Sequence, residues 1–112
     1  MTHKVNVKPL SVNQAWQGRR FKTPAYNSYQ KEVLFKLPKI ILPKAPYDVY
    51  IEFGLSSKLS DIDNGLKPFI DCLVKKYKFD DRDIYFLTVK KSIIPKEKEF
   101  IKFSINHLEY DL

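Results

Sequence analysis

Residues 47 to 55 alternate in character, with Val49, Ile51, Phe53 and Leu55 on one side of a pleat and Tyr50, Glu52 and Gly54 on the other. Successive side chains of a strand point to opposite faces, so this stretch is expected to be a half-buried β-strand. Further on, Leu66, Phe69, Ile70, Leu73, Val74 and Tyr77 recur at helical spacing. A switch of period within so short a stretch commits the chain to a core built from both strand and helix. Between the two patterns lies Asp61-Ile62-Asp63-Asn64-Gly65-Leu66-Lys67, running on to Asp71 and answered by Asp80-Asp81.

That acidic cluster stands out against the charge of the whole chain. Lys plus Arg number 20 against 13 Asp plus Glu, giving a net charge of +7 and a sequence pI of about 9.4. Such an excess says little about fold but predicts attraction to polyanions, whether nucleic acid or an anionic membrane surface. Crowding carboxylates together is costly unless a cation sits between them. The pattern therefore points to a divalent metal held by hard oxygen ligands.

The other segments fill in the frame. Val5 and Val7 against Lys4, Asn6 and Lys8 predict a strand over residues 4 to 8, stopped by Pro9. Residues 10 to 22 show no sustained period and read as an ordered loop. Arg19, Arg20 and Lys22 stand there close to Trp16 and Phe21. The cations could grip phosphates and an aromatic could stack on an unpaired base, or the two rings could be core anchors. Thr23-Pro24 signals a helix start, and Tyr26, Tyr29, Val33 and Leu37 carry an amphipathic helix over roughly 24 to 37, ended by Pro38. Pro38, Pro43 and Pro46 then make a stiff connection. Asp63, Lys67 and Asp71 form a polar stripe on the second helix, which could begin as early as Asn64. On that wheel Cys72 falls opposite the apolar stripe, facing solvent or an oligomer contact. Ile84 to Lys91 reads as a strand, Ser92 to Lys98 as a loop, and residues 99 to 107 as a last strand with Lys102, Ser104 and Asn106 on its wet face.

The expected architecture is one α+β domain over residues 1 to 112, a mixed or antiparallel sheet covered by helices on one face. The last two strands are expected to pair antiparallel. A single cysteine excludes an intrachain disulfide and fits a reducing compartment. No apolar leader or membrane-length run is visible, so a soluble, cytoplasmic protein is expected. His3 and His107 lack ligand-like spacing. Zinc ribbons, serine hydrolases and phosphate-loop folds find no motif here. An EF-hand needs glycine at its sixth position and glutamate at its twelfth, where this chain has Leu66 and Cys72.

Phosphodiester hydrolysis needs an activated water, neutralisation of the transition-state charge and help for the leaving oxygen, all of which divalent ions supply. Asp61, Asp63 and Asp81 are the candidate metal ligands, magnesium the favoured ion, and Lys67 the candidate transition-state cation. The same residues also have a purely structural reading. Asp63 or Asn64 would cap the helix, Lys67 would pair with Asp63 and Asp71, and Asp80-Asp81 would be turn chemistry.

The run Asp61-Ile-Asp63-Asn64-Gly-Leu-Lys67-Pro-Phe-Ile-Asp71-Cys-Leu, with Asp80-Asp81 ahead of a strand, closely resembles the RusA Holliday-junction resolvases. Ser11-Val-Asn13-Gln-Ala-Trp16-Gln-Gly-Arg19-Arg20-Phe21-Lys22-Thr23 resembles the opening of phage-type members of that family. The likeness runs from about residue 5 to residue 107. It implies a homodimer of mixed α/β subunits making paired nicks in four-way DNA junctions with magnesium, or manganese as a substitute. It carries the catalytic acids onto Asp61, Asp63 and Asp81, with Asp80 or Asp83 as possible sharers of the last role, and the catalytic lysine onto Lys67. Arg19, Arg20 and Lys22, with Lys58 weaker, are expected to contact DNA phosphates. The competing class is a non-catalytic DNA-binding or architectural protein that keeps the fold.

Overall fold

A computed structural model of the chain describes residues 1–10, 16–17 and 21–109. Four strands make the main sheet: β1 (His3–Val5), β4 (Tyr47–Leu55), β5 (Ile84–Ile93) and β6 (Phe100–His107). Two short strands, β2 (Trp16–Gln17) and β3 (Phe21–Lys22), pair antiparallel within the stretch expected to be a loop. The helices are α1 (Pro24–Lys36) and α2 (Leu66–Tyr77), and a 3-10 turn, Asp81–Asp83, leads into β5.

The main sheet is mixed, in the order β1-β6-β4-β5. β5 runs parallel to β4, and β6 runs antiparallel to both β4 and β1. The expectation that the last two strands pair with each other is therefore wrong. The reason is topological: α2 is a crossover, and a crossover returns the chain parallel to the strand it left. β5 takes one edge of β4, and β6 must take the other.

The helix boundaries follow the local chemistry. The Thr23 side chain accepts a bond from the Tyr26 amide at 3.1 Å, and Pro24 opens α1 where no donor is needed. Tyr26, Tyr29, Val33 and Leu37 are all buried, as their spacing predicts. α2 starts at Leu66 with Gly65 as its cap, which puts Pro68 in the first turn, where its missing donor costs little. Lys78 closes the helix in the left-handed conformation at φ 58°.

The core lies between one face of the sheet and the two helices. Val49, Ile51 and Phe53 of β4 meet Ile101 and Phe103 of β6 and Phe69 and Leu73 of α2. The Phe69 ring sits edge-on to Phe103 at 5.7 Å and to Phe53 at 6.4 Å. Lys76 Nζ of α2 donates to Leu34 O of α1 at 3.2 Å, and Tyr77 Oη donates to Pro38 O, just beyond α1, at 2.6 Å.

Several local expectations need correction. The first strand covers His3–Val5 rather than 4 to 8, and β5 runs on to Ile93, shortening the loop after it. Ser104, expected on a wet face, and Glu52, expected opposite the apolar side of its strand, are buried because β4 and β6 are interior strands flanked by a neighbouring strand on each edge. Cys72 is fully buried rather than exposed. Burial pushes its thiol up to about 12, with Asp71 adding to the effect, so it is not a nucleophile at neutral pH.

Glu52 is the polar centre of the face without helices. Ser92 Oγ donates to it at 2.5 Å and Tyr50 Oη at 3.1 Å, with Lys90 and Lys102 nearby at 3.9 and 4.0 Å. The Ser92 bond, then the Tyr50 bond and the two lysine charges, hold its carboxyl below the usual range against the opposing effect of burial. A depressed folded value stabilises above the unfolded carboxyl pKa of about 4.3 and is lost as pH falls through the folded value. The urea midpoint of the native chain should thus fall further between about pH 5 and about pH 3 than that of Glu52→Gln. Equal falls would show that Glu52 carries none of the acid sensitivity.

Candidate active site

Chain leaving the carboxyl end of β4 forms the loop 56–65, and the start of α2 brings it back against the core. Ligands of crossover folds bind outside the carboxyl ends of the strands, and Asp61 and Asp63 occupy that position here. A cavity of about 420 Å³ opens beneath the loop, with Asp61, Asn64, Ser60, Lys8 and Phe53 in its lining. Asp61 and Asp63 are both exposed. Their carbonyls shape the turn, Asp61 O accepting from the Asn64 amide and Asp63 O from the Leu66 amide, each at 3.2 Å.

The two carboxylates are not consumed in starting the helix. Gly65 is the cap, and no side chain bonds to the first amides of α2. The capping part of the structural reading therefore fails; the Lys67–Asp71 pair and the Asp80 turn are present, and Lys67 bonds to Asp71 rather than to Asp63. Lys67 Nζ pairs with Asp71 Oδ1 at 2.9 Å along the helix. Asp80 is turn chemistry, its Oδ1 accepting from the Arg82 amide at 3.0 Å and its Oδ2 lying 3.1 Å from Arg82 Nε.

A short relay connects the start of α2 to α1. Tyr26 Oη donates to Asp71 Oδ2 at 3.1 Å, so Asp71 bridges Tyr26 and Lys67. Burial raises the Tyr26 phenol, and the Asp71 charge and bond add to the rise. Lys67 is raised chiefly by its bond to Asp71, with the charges of Asp71 and Asp81 adding and burial opposing. It is a cation throughout the neutral range. Lys22 Nζ, one of the expected phosphate contacts, sits 4.9 Å from the Tyr26 ring centroid, on the same flank.

Asp81 opens the 3-10 turn before β5, at the opposite end of the β4–β5 pair from the loop that carries Asp61 and Asp63. Its charge reaches Lys67, yet among the described residues no three acids, histidines or cysteines come together as a metal-holding group. Asp61 and Asp63 form a pair of hard oxygen donors, which suits magnesium, an ion that keeps several waters and takes one or two protein carboxylates. Lys58 is exposed on the same loop. Arg19 and Arg20 lie outside the described residues.

Sequence reasoning passed over the residue that fixes the loop. Lys91 Nζ, from β5, donates to Lys58 O at 3.1 Å and to Ser60 O at 2.5 Å. Its signal was a charge on the strand face that Val89 turns toward the helices. Ser56 Oγ donates to Glu99 Oε2 at 3.0 Å at the other wall of the cavity.

No protein-family model matches the chain, and no curated protein matches it either. No helix among the described residues is long and apolar enough to cross a membrane.

Proposed function

We propose that the chain is a magnesium-dependent, structure-selective DNA endonuclease of the RusA type, resolving four-way junctions or related branched DNA by paired nicks in recombination and repair. The observation that carries this reading is the pair of exposed carboxylates, Asp61 and Asp63, presented beside a cavity at the carboxyl end of β4 and left unused by the helix they precede. Magnesium bound there would supply an activated water and neutralise charge on the scissile phosphate. Asp61 and Asp63 would hold it, while Asp81, at the other end of the β4–β5 pair, is assigned to act through its charge on Lys67. Lys67, cationic and held by Asp71, is assigned to offset negative charge as the phosphate reacts. Lys22 and Lys58, with Arg19 and Arg20, grip the flanking phosphates.

In this reading the protein works in the cytoplasm as a homodimer, whose two-fold axis matches that of a four-way junction. The edge strand β5 supports the assembly, since Tyr85, Leu87 and Ile93 are exposed along a strand paired on one side only. A second reading is a non-catalytic DNA-binding protein with the same fold. It draws on the Lys67–Asp71 pair and the Asp80 turn, which give those residues structural work.

The deciding assay incubates the chain with labelled four-way junction, fork and linear duplex in magnesium, manganese or a chelator. The junction is expected to be nicked in pairs with either metal and the linear duplex left intact. Binding without nicking in both metals would establish the second reading instead.

A further inference from the structure

The sheet face that carries no helix is crossed by one row of charged residues. Lys4 of β1 lies opposite Lys102 of β6, Lys102 opposite Glu52 of β4, and Glu52 opposite Lys90 of β5. Residues directly opposed in a ladder share a face, and like charges so placed repel. Lys4 and Lys102 nevertheless bring their ammonium groups over a single ring, 4.8 and 5.7 Å from the centroid of Phe100. Phe100 can lie there because it rests on Gly54, where a Cβ would come within 2.4 Å of the ring.

Glu52 offsets only part of this charge. Its Oε1 is 4.0 Å from Lys102 Nζ and its Oε2 is 3.9 Å from Lys90 Nζ, so one carboxylate positions two cations and leaves Lys4 beyond its reach. Among the strand residues of this face the only other acid is Asp48, and Glu97 and Glu99 of the loop before β6 line the hollow that Lys4 shares with Phe100, beside Lys98. Three gaps between strands make the row about 14 Å long. Phe86, exposed, and Tyr50, half-buried, add aromatic surface to the same face. Glu52 lies close to the carboxyl end of β4, so the row approaches the loop that bears Asp61.

We infer that this row is a second nucleic-acid contact, gripping the phosphates of a single DNA strand laid across the open sheet face while the aromatic side chains meet its bases. Positively charged grooves with stacking rings are how proteins hold single strands without sequence preference. The inference rests on the reading of the protein as DNA-directed, but not on cleavage. It gives the unpaired arm of a branched substrate a place to lie on the sheet face next to the acidic loop.

The test is fluorescence anisotropy of a fluorescein-labelled single-stranded oligonucleotide against the full chain, in chelator, over a series of salt concentrations. Each lost phosphate contact on a single strand lowers the slope of log K against log salt by about 0.7. The triple variant Lys4→Gln, Lys90→Gln and Lys102→Gln is expected to lower it by about 2. Lys4→Gln alone, which leaves both partners of Glu52 in place, should lower it by about 0.7. A control variant, Lys31→Gln, Lys75→Gln and Lys78→Gln, removes as much charge from exposed positions on and just beyond the helices and should leave the slope nearly unchanged. Equal slopes in the native chain and the Lys4→Gln variant would overturn the inference. So would an equal drop in the control, or a change in sedimentation of the triple variant showing that the face joins two copies. Native chain that binds no oligonucleotide of any structure would end the DNA reading as a whole, whereas normal binding with an unaltered slope ends this inference alone.

Discussion

Asp63→Asn is expected to lower junction cleavage at least about 100-fold in magnesium, a loss of about 3 kcal/mol of transition-state stabilisation. The amide keeps the size of the side chain and removes the charge that would hold a divalent ion. Because Asp63 is exposed and does not cap α2, the melting temperature should barely move, surface changes of this kind staying within about 0.5 kcal/mol. The two readouts together separate a metal ligand from a structural acid. A variant that cleaves junctions at the native rate would remove Asp63 from the site. A variant that loses activity only because it melts early would show that the carboxylate serves the loop rather than the reaction.

Phe69→Ala should have the largest effect on stability. Its ring is fully buried and makes edge-on contacts with Phe53 and Phe103, so it joins α2 to both interior strands. Truncation of a buried phenylalanine costs about 3–5 kcal/mol, the lost transfer energy plus that of the cavity left behind. Domains of this size are stable by only about 5–15 kcal/mol, so the variant should unfold at much lower urea, with a melting temperature down by about 10 °C or more. Phe69→Leu, which fills more of the space, should cost roughly half as much. A loss under about 1.5 kcal/mol for the alanine would mean that α2 is held mainly by its polar ties to α1.

Much of this core is written locally. Thr23-Pro24 and the buried Tyr26, Tyr29, Val33 and Leu37 are visible in the sequence because a cap and a helical period are properties of neighbouring residues. The strand over 47 to 55 is visible for the same reason. Which strand it pairs with is not, because alternation assigns a side chain to a face but not to a neighbour. Cys72 was misplaced by a related limit. α2 rests on the sheet and also touches α1, so it buries Pro68 and Cys72 in addition to the stripe that the periodicity marks.

At the site, the acidic pair and Lys67 are legible as residue types, but their connections are long-range. Tyr26 reaches Asp71, and Lys91 reaches the carbonyls of Lys58 and Ser60, from elements far away in the chain. Lys91 breaks the apolar pattern of its strand, and an inward-facing lysine must find oxygen atoms somewhere. Its partners become apparent only once β5 is laid beside β4.

The loop between β4 and α2 is moored at both ends. Lys91 fastens its first half, and at its far end Gly65 lies so near Phe53 that an added Cβ would stand 3.2 Å from the ring. Only the short span from Asp61 to Asn64 is left between these moorings. Adjustment to a substrate must then come as a small flexing of that span, with the helix behind it standing still.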